Sequence, residues 1–137
     1  MLIDIQNIFI KYFNNRKEVK HVRFMKLLTK ELLKKLPPLY SQENVEDPLV
    51  MCKFFTPDAH WTWYALEGSP VDQNGFYDTN EEKTDFLFFG LAVGDFPELG
   101  YFALSELQTV RGLFGLPVER DLYFEPTPLS EIRKLHE

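Results

Sequence analysis

The chain has 137 residues, with 15 Lys+Arg against 21 Asp+Glu for a net charge of −6, and is 45% hydrophobic and 15% aromatic. That length supports one apolar core and is short for two, and the apolar and aromatic content excludes a disordered chain. The single cysteine, Cys52, excludes an intramolecular disulfide and a four-cysteine zinc site, so packing must hold the fold, and a reducing cytoplasm fits.

No window approaches the roughly 18 consecutive apolar residues of a membrane span. A secretory signal would place charge before its apolar stretch, whereas Leu2 to Phe13 is apolar first and basic afterwards. Residues 1–24 carry five basic residues against two acidic ones, a net +3, and the remainder carries ten against nineteen, a net −9. Two readings of this extension stand. It could be a basic amphipathic helix, with Leu2, Ile5, Phe9 and Tyr12 or Phe13 on one side, lying on an anionic surface or on the acidic body. It could equally be dispensable, with Met25 as the start of a single domain over 25–137. Lys17-Glu18-Val19 is what a ribosome-binding sequence would encode in frame, although it lies further from Met25 than such sites usually do.

Thr29 is a good N-cap before Lys30-Glu31, and Leu32, Leu33 and Leu36 form a short apolar stripe ended by Pro37-Pro38, which predicts a short helix docked through Leu28, Leu32 and Leu36. Ser41 to Pro48 reads as a solvated loop. Leu49 to Phe55 and His60 to Glu67 predict two strands of a hairpin about the turn Thr56-Pro57-Asp58. Alternation places Trp61, Trp63 and Ala65 on one face, expected to point inward, and His60, Thr62 and Tyr64 on the other. Gly68 to Thr84 reads as a long exposed loop, a length more often functional or disordered than incidental. Phe86 to Val93 is apolar on both faces, the pattern of a strand covered on both sides.

Gly94 to Glu98 predicts a turn and Leu99 to Leu104 a returning strand. Ser105 and Gln108 stand in capping-box spacing before a helix through Leu107 and Val110 that stops at Gly112. Asp121 to Glu125 reads as a short strand, and Thr127 as the N-cap of a terminal helix with Leu129, Ile132 and Leu135. The order of elements predicts an α+β domain, an antiparallel sheet of four to five strands with short packing helices.

Three chemistries compete for the polar residues. Asp58, Glu81, Glu82 and Asp85, with Lys83, loosely fit a metal-dependent nuclease or hydrolase, but Glu81 to Lys83 fall in loop-like sequence that holds ligands poorly. Cys52 and His60 lie on partner strands, where a thiol–imidazole pair is conceivable, yet no third group orients the histidine. Trp61, Trp63 and Tyr64 could stack single-stranded bases, although a net −9 body lacks the charge that neutralises phosphates. No cofactor motif is present, and the separation of the glycines does not support phosphate cradling. The acidic excess suits a protein partner through long-range attraction.

Several segments in order, Lys26-Leu27-Leu28-Thr29, Leu36-Pro37-Pro38-Leu39-Tyr40, Trp61-Thr62-Trp63-Tyr64-Ala65, Phe88-Phe89-Gly90-Leu91, Leu99-Gly100-Tyr101-Phe102 with Ser105-Glu106-Leu107, and Gly115 to Phe124, resemble the bacterial family called domain of unknown function 2958. The resemblance covers Met25 to Ile132. It implies an accessory gene of plasmids and other mobile elements, and it transfers no catalytic residue. Within the matched region Glu119-Arg120-Asp121 is the most distinctive polar element, suited to orienting a partner's charge or to closing a local ion-pair network. The expectation is a cytoplasmic, non-enzymatic interaction module, with Trp61, Trp63, Tyr64, Glu119, Arg120 and Asp121 as candidate binding residues. The oligomeric state is not legible.

Overall fold

A computed structural model describes residues 26–137, and the N-terminal extension lies outside them. Ten elements follow in order: α1 (Lys30–Lys35), β1 (Leu49–Val50), β2 (Cys52–Phe55), β3 (Thr62–Val71), β4 (Asp85–Val93), β5 (Pro97–Ala103), α2 (Leu104–Thr109), β6 (Glu119–Arg120), β7 (Thr127–Pro128) and α3 (Leu129–Leu135). Five strands form an antiparallel sheet in the order β5-β4-β3-β2-β6, while β1 and β7 pair separately. The architecture is α+β.

The helix at α1 follows from its cap. The Thr29 hydroxyl accepts the Leu32 N–H at 3.2 Å, and Leu36, extended before Pro37, ends the helix. Leu33, Leu36, Leu27 and Leu28 are buried from this end of the chain, and Leu32 packs at their edge. Together with Phe54, Trp63, Ala65, Phe86, Phe88, Phe102, Leu104 and Leu107 they make the larger core cluster, on what we call the first face of the sheet. The second face carries Tyr64, Leu66, Leu91 and Val93, covered by Val50 and by Leu129 and Ile132 of α3. β4 contributes to both clusters, as its two-sided apolar pattern predicts. Phe54, Phe88 and Leu91 are fully enclosed, each burial stabilising by about 1.5–3 kcal/mol.

Several boundaries differ from the sequence reading, each for a local reason. The expected strand over Leu49 to Phe55 breaks at Met51, whose N–H donates to the Ala65 carbonyl at 2.8 Å. Val50 falls in the second-face cluster and Cys52 in the first, so regular alternation fails across Met51 and β1 leaves the large sheet to pair with β7. β3 runs on to Val71, and the loop begins only at Asp72. Trp63 is buried but Trp61 is 42% exposed at the strand's entry, so only part of the tryptophan face points inward. The expected strand at Asp121 to Glu125 is instead Glu119–Arg120, paired with Phe55 and Phe54.

The two later helices also start differently. α2 begins at Leu104 and ends at Thr109, and Ala103 makes no side-chain cap; the Asp85 carboxylate, at the start of β4, accepts both the backbone N–H and the hydroxyl of Ser105. Thr127 belongs to β7, and the start of α3 is capped by Asp47, which accepts the Ser130 N–H at 2.9 Å and its hydroxyl at 2.6 Å.

Candidate functional site

The six predicted binding residues do not converge. By register Trp63, Phe54 and Arg120 stand on the first face, whereas Tyr64 and Lys53 stand on the second. His60, Trp61 and Trp63 form a stack, with ring centroids 6.5 Å and 5.9 Å apart, and Trp61 rests on Gly94, where a Cβ would collide with it. Tyr64 is buried, its hydroxyl 2.8 Å from His136 Nε2 and its ring against Phe124; burial, and then the charge of Asp121, push its phenol pKa up. The Glu119-Arg120-Asp121 element works within the fold. Arg120 Nη1 donates to the Lys26 and Leu27 carbonyls at 3.0 Å, tying the segment before α1 to β6, and Asp121 lies 3.9 Å from Lys53 Nζ.

The four carboxylates considered for a metal are likewise dispersed. Asp58 Oδ2 accepts the Phe114 and Leu116 N–H groups at 2.6 and 3.2 Å and shapes the 112–116 turn; Gly112 packs so closely on that carboxyl that a Cβ would collide with it. Asp85 caps α2, while Glu81 and Glu82 lie in the exposed 72–84 loop. Among the described residues no group of three or more His, Cys, Asp and Glu side chains is placed to hold a metal ion. Cys52 is not paired with His60: it faces the first-face cluster, where burial pushes its thiol pKa up to about 12, while His60 sits on the exposed turn 3.3 Å from Asp95. A thiol in that state is a poor nucleophile.

A different group does converge, on the second face of the sheet. The ladder between β3 and β4 pairs Ala65 with Gly90 and then Glu67 with Phe89, skipping Leu66. A regular ladder would have set Glu67 opposite Phe88, inside the apolar first-face cluster. The bulge instead turns Glu67 to the Phe89 side, where the loop after α1 crosses the sheet. Glu67 is buried, and its carboxylate accepts the Tyr40 N–H at 3.1 Å and the Gln42 N–H at 2.7 Å; two residues on, the Ser69 hydroxyl accepts the Leu39 N–H at 2.9 Å. These bonds hold Tyr40 at φ 70°, the left-handed region that a bulky side chain seldom adopts.

Above the Glu67 carboxylate the chain leaves an open cavity of about 140 Å³ lined by Tyr40, Gln42, Glu43, Glu67, Phe89 and Tyr101, among others. Tyr101 donates its hydroxyl to that of Tyr40 at 3.2 Å, Phe89 packs 5.0 Å from the Tyr101 ring, and Tyr77 packs 5.6 Å from Tyr40. The Tyr101 phenol is pushed up to about 12, first by the hydrogen bond it donates to Tyr40, with partial burial and the electrostatic influence of Tyr40, Glu67 and Glu43 adding to it. Tyr40, Tyr77 and Tyr101 are nonetheless partly exposed, an aromatic surface around a buried carboxylate. Sequence reading missed this site. Tyr40 and Tyr101 stand in the family-like segments, but only the bulge, which no periodicity announces, brings Glu67 to them.

Fold and cavity together define a small antiparallel α+β protein that presents a tyrosine-walled, carboxylate-floored recess. The model of the family described as "Protein of unknown function (DUF2958)" matches residues 27–135, and the chain belongs to that family. No curated protein and no solved structure matches it. No helix among the described residues is long and apolar enough to cross a membrane.

Proposed function

We propose that this chain is a non-enzymatic interaction module that binds a protein partner through the recess between Tyr40, Phe89 and Tyr101, in keeping with an accessory role in bacterial mobile elements and a reducing cytoplasm. The observation that carries the reading is the recess itself: partly exposed aromatics around the buried Glu67, on a chain of net charge −6. Binding sites combine apolar walls with a few fixed polar groups, and here the polar groups are fixed by backbone bonds before any ligand arrives. Exposed aromatic area favours association with a partner surface.

The competing readings have weaker support. Hydrolysis through Asp58, Glu81, Glu82 and Asp85 would need groups that stand apart, two of them already committed to backbone bonds. Stacking of bases on Trp61 has one exposed ring available, and His60, stacked on that ring, lies against the Asp95 carboxylate.

Affinity capture from the native host, using the full chain and a Tyr101→Leu variant side by side, tests the proposal. A partner captured by the native chain and lost in the variant supports it. A partner held equally by both would move the binding surface elsewhere. A tight divalent-metal titration abolished by Glu82→Gln would overturn the non-enzymatic reading.

A further inference from the structure

We infer that the recess receives a cationic headgroup, the guanidinium or alkylammonium end of a basic side chain carried by the partner. The inference rests on the proposed function and adds to it the chemistry of the ligand. Aromatic walls attract a cation that sits over a ring face, because the ring quadrupole is negative there, and three of the lining residues are aromatic. Two more, Glu67 and Glu43, are carboxylates, and no lining residue is basic. An anion would meet their combined repulsion.

The hydrogen-bond inventory points the same way. Each Glu67 oxygen accepts one backbone N–H, from Tyr40 and from Gln42, and a carboxylate oxygen has capacity for a second donor. A guanidinium or ammonium offers such donors and no acceptors, so it can complete the carboxylate where a neutral donor gives a weaker bond. Size is restrictive as well: about 140 Å³ suits one headgroup and is well below the roughly 300 Å³ at which sites for larger organic ligands begin. The walls are also preorganised, since Glu67 already holds Tyr40 in its left-handed conformation and Tyr101 is hydrogen-bonded to Tyr40.

The test uses the full chain and three capped tripeptides, Gly-Arg-Gly, Gly-Lys-Gly and the neutral isostere Gly-citrulline-Gly, followed by NMR shifts of the tyrosine rings. The arginine or the lysine peptide should bind about tenfold or more tightly than the citrulline peptide, and their ranking separates guanidinium from ammonium. Tyr101→Leu, on a half-exposed edge-strand position, should weaken the cation about tenfold with the fold intact, and Glu67→Gln should act in the same direction. Equal binding of citrulline and arginine, or a cation response unmoved by Tyr101→Leu, would overturn the inference. Silence of both cationic peptides to about 10 mM, alongside partner capture that Tyr101→Leu abolishes, would overturn it too while leaving the interaction module standing.

Discussion

Asp85, the first residue of β4, caps a helix that starts twenty residues later: its Oδ1 accepts the Ser105 N–H at 3.2 Å and its Oδ2 accepts the Ser105 hydroxyl. Asp47 does the same for Ser130, and both helices open with the sequence Leu-Ser-Glu. A helix leaves its first N–H groups without intrahelical partners, and here the missing acceptor comes from elsewhere in the fold. The cap therefore couples each helix to the tertiary structure. Asp85→Ala should destabilise the protein by about 1–2 kcal/mol in urea unfolding, with Asp85→Asn losing less because an amide oxygen still accepts. A change within about 0.5 kcal/mol would show that the bond contributes no more than a surface contact.

Gly90 and Gly100 face one another across β4 and β5, yet they should respond oppositely to the same substitution. A Cβ on Gly90 would collide with the Tyr64 backbone oxygen, beside the bulge, whereas nothing stands within 4 Å of a Cβ on Gly100. Gly90→Ala should cost about 3 kcal/mol or more, because a ladder has no room to give at backbone. Gly100→Ala should be neutral or slightly stabilising, since it removes the flexibility of glycine from a strand. Paired thermal melts of the two variants would check this, and equal shifts would contradict the crowding.

Stability should fall in acid through two aspartates. Hydrogen bonds from Thr79, then from the Phe76 N–H, hold the Asp72 carboxyl below its ordinary value, and the Ser130 hydroxyl and N–H do the same for Asp47. A carboxyl depressed in the folded chain leaves the unfolded chain binding more protons, so stability rises with pH over that interval. The contribution is present above the ordinary carboxylate pKa near 4 and is lost as pH falls through the lower folded value. Asp72→Asn should therefore narrow the stability difference between neutral and acidic solution, measured as unfolding midpoints across that range. An unchanged pH dependence in the variant would remove Asp72 from the account.

The Asp72 network also organises what the sequence presents as featureless loop. Asp72 accepts the Asn74 and Phe76 N–H groups and the Thr79 hydroxyl, and the buried Lys83 ammonium donates to Thr79 at 2.8 and 3.0 Å. Amides at 74–76 in the native chain should exchange more slowly with deuterium than those of Asp72→Ala, the comparison being made in the folded state.

Cys52 should resist thiol reagents. With its pKa pushed up to about 12 by burial, almost no thiolate exists at pH 8, so modification in the folded protein should proceed only through opening of the core. A disulfide reagent at that pH should react slowly with native protein and at once in denaturant. Rapid native reaction would place Cys52 outside the core.

Much of the fold was legible because it rests on local chemistry. Thr29 and Pro37 bracket α1 as their types require, and the two-sided apolar run at Phe86 to Val93 marks an enclosed strand. The turn residues at Thr56 to Asp58 and Gly94 to Phe96 separate the strands of both hairpins. Illegible were the features that depend on a distant partner. Ser105 and Thr127 look like caps by type, but Asp85 and Asp47 take the role because the sheet carries them to the helix ends.

The residue order by itself determined an acidic α+β chain with antiparallel hairpins, because composition and side-chain period act over a few neighbouring positions. Tertiary structure alone decided where the recess would form. One extra residue at Leu66 turns Glu67 away from the apolar cluster and toward Tyr40 and Tyr101, which lie 27 and 34 positions away along the chain. A bulge is set by competition between two whole strands for register, and no single window of residues contains that competition.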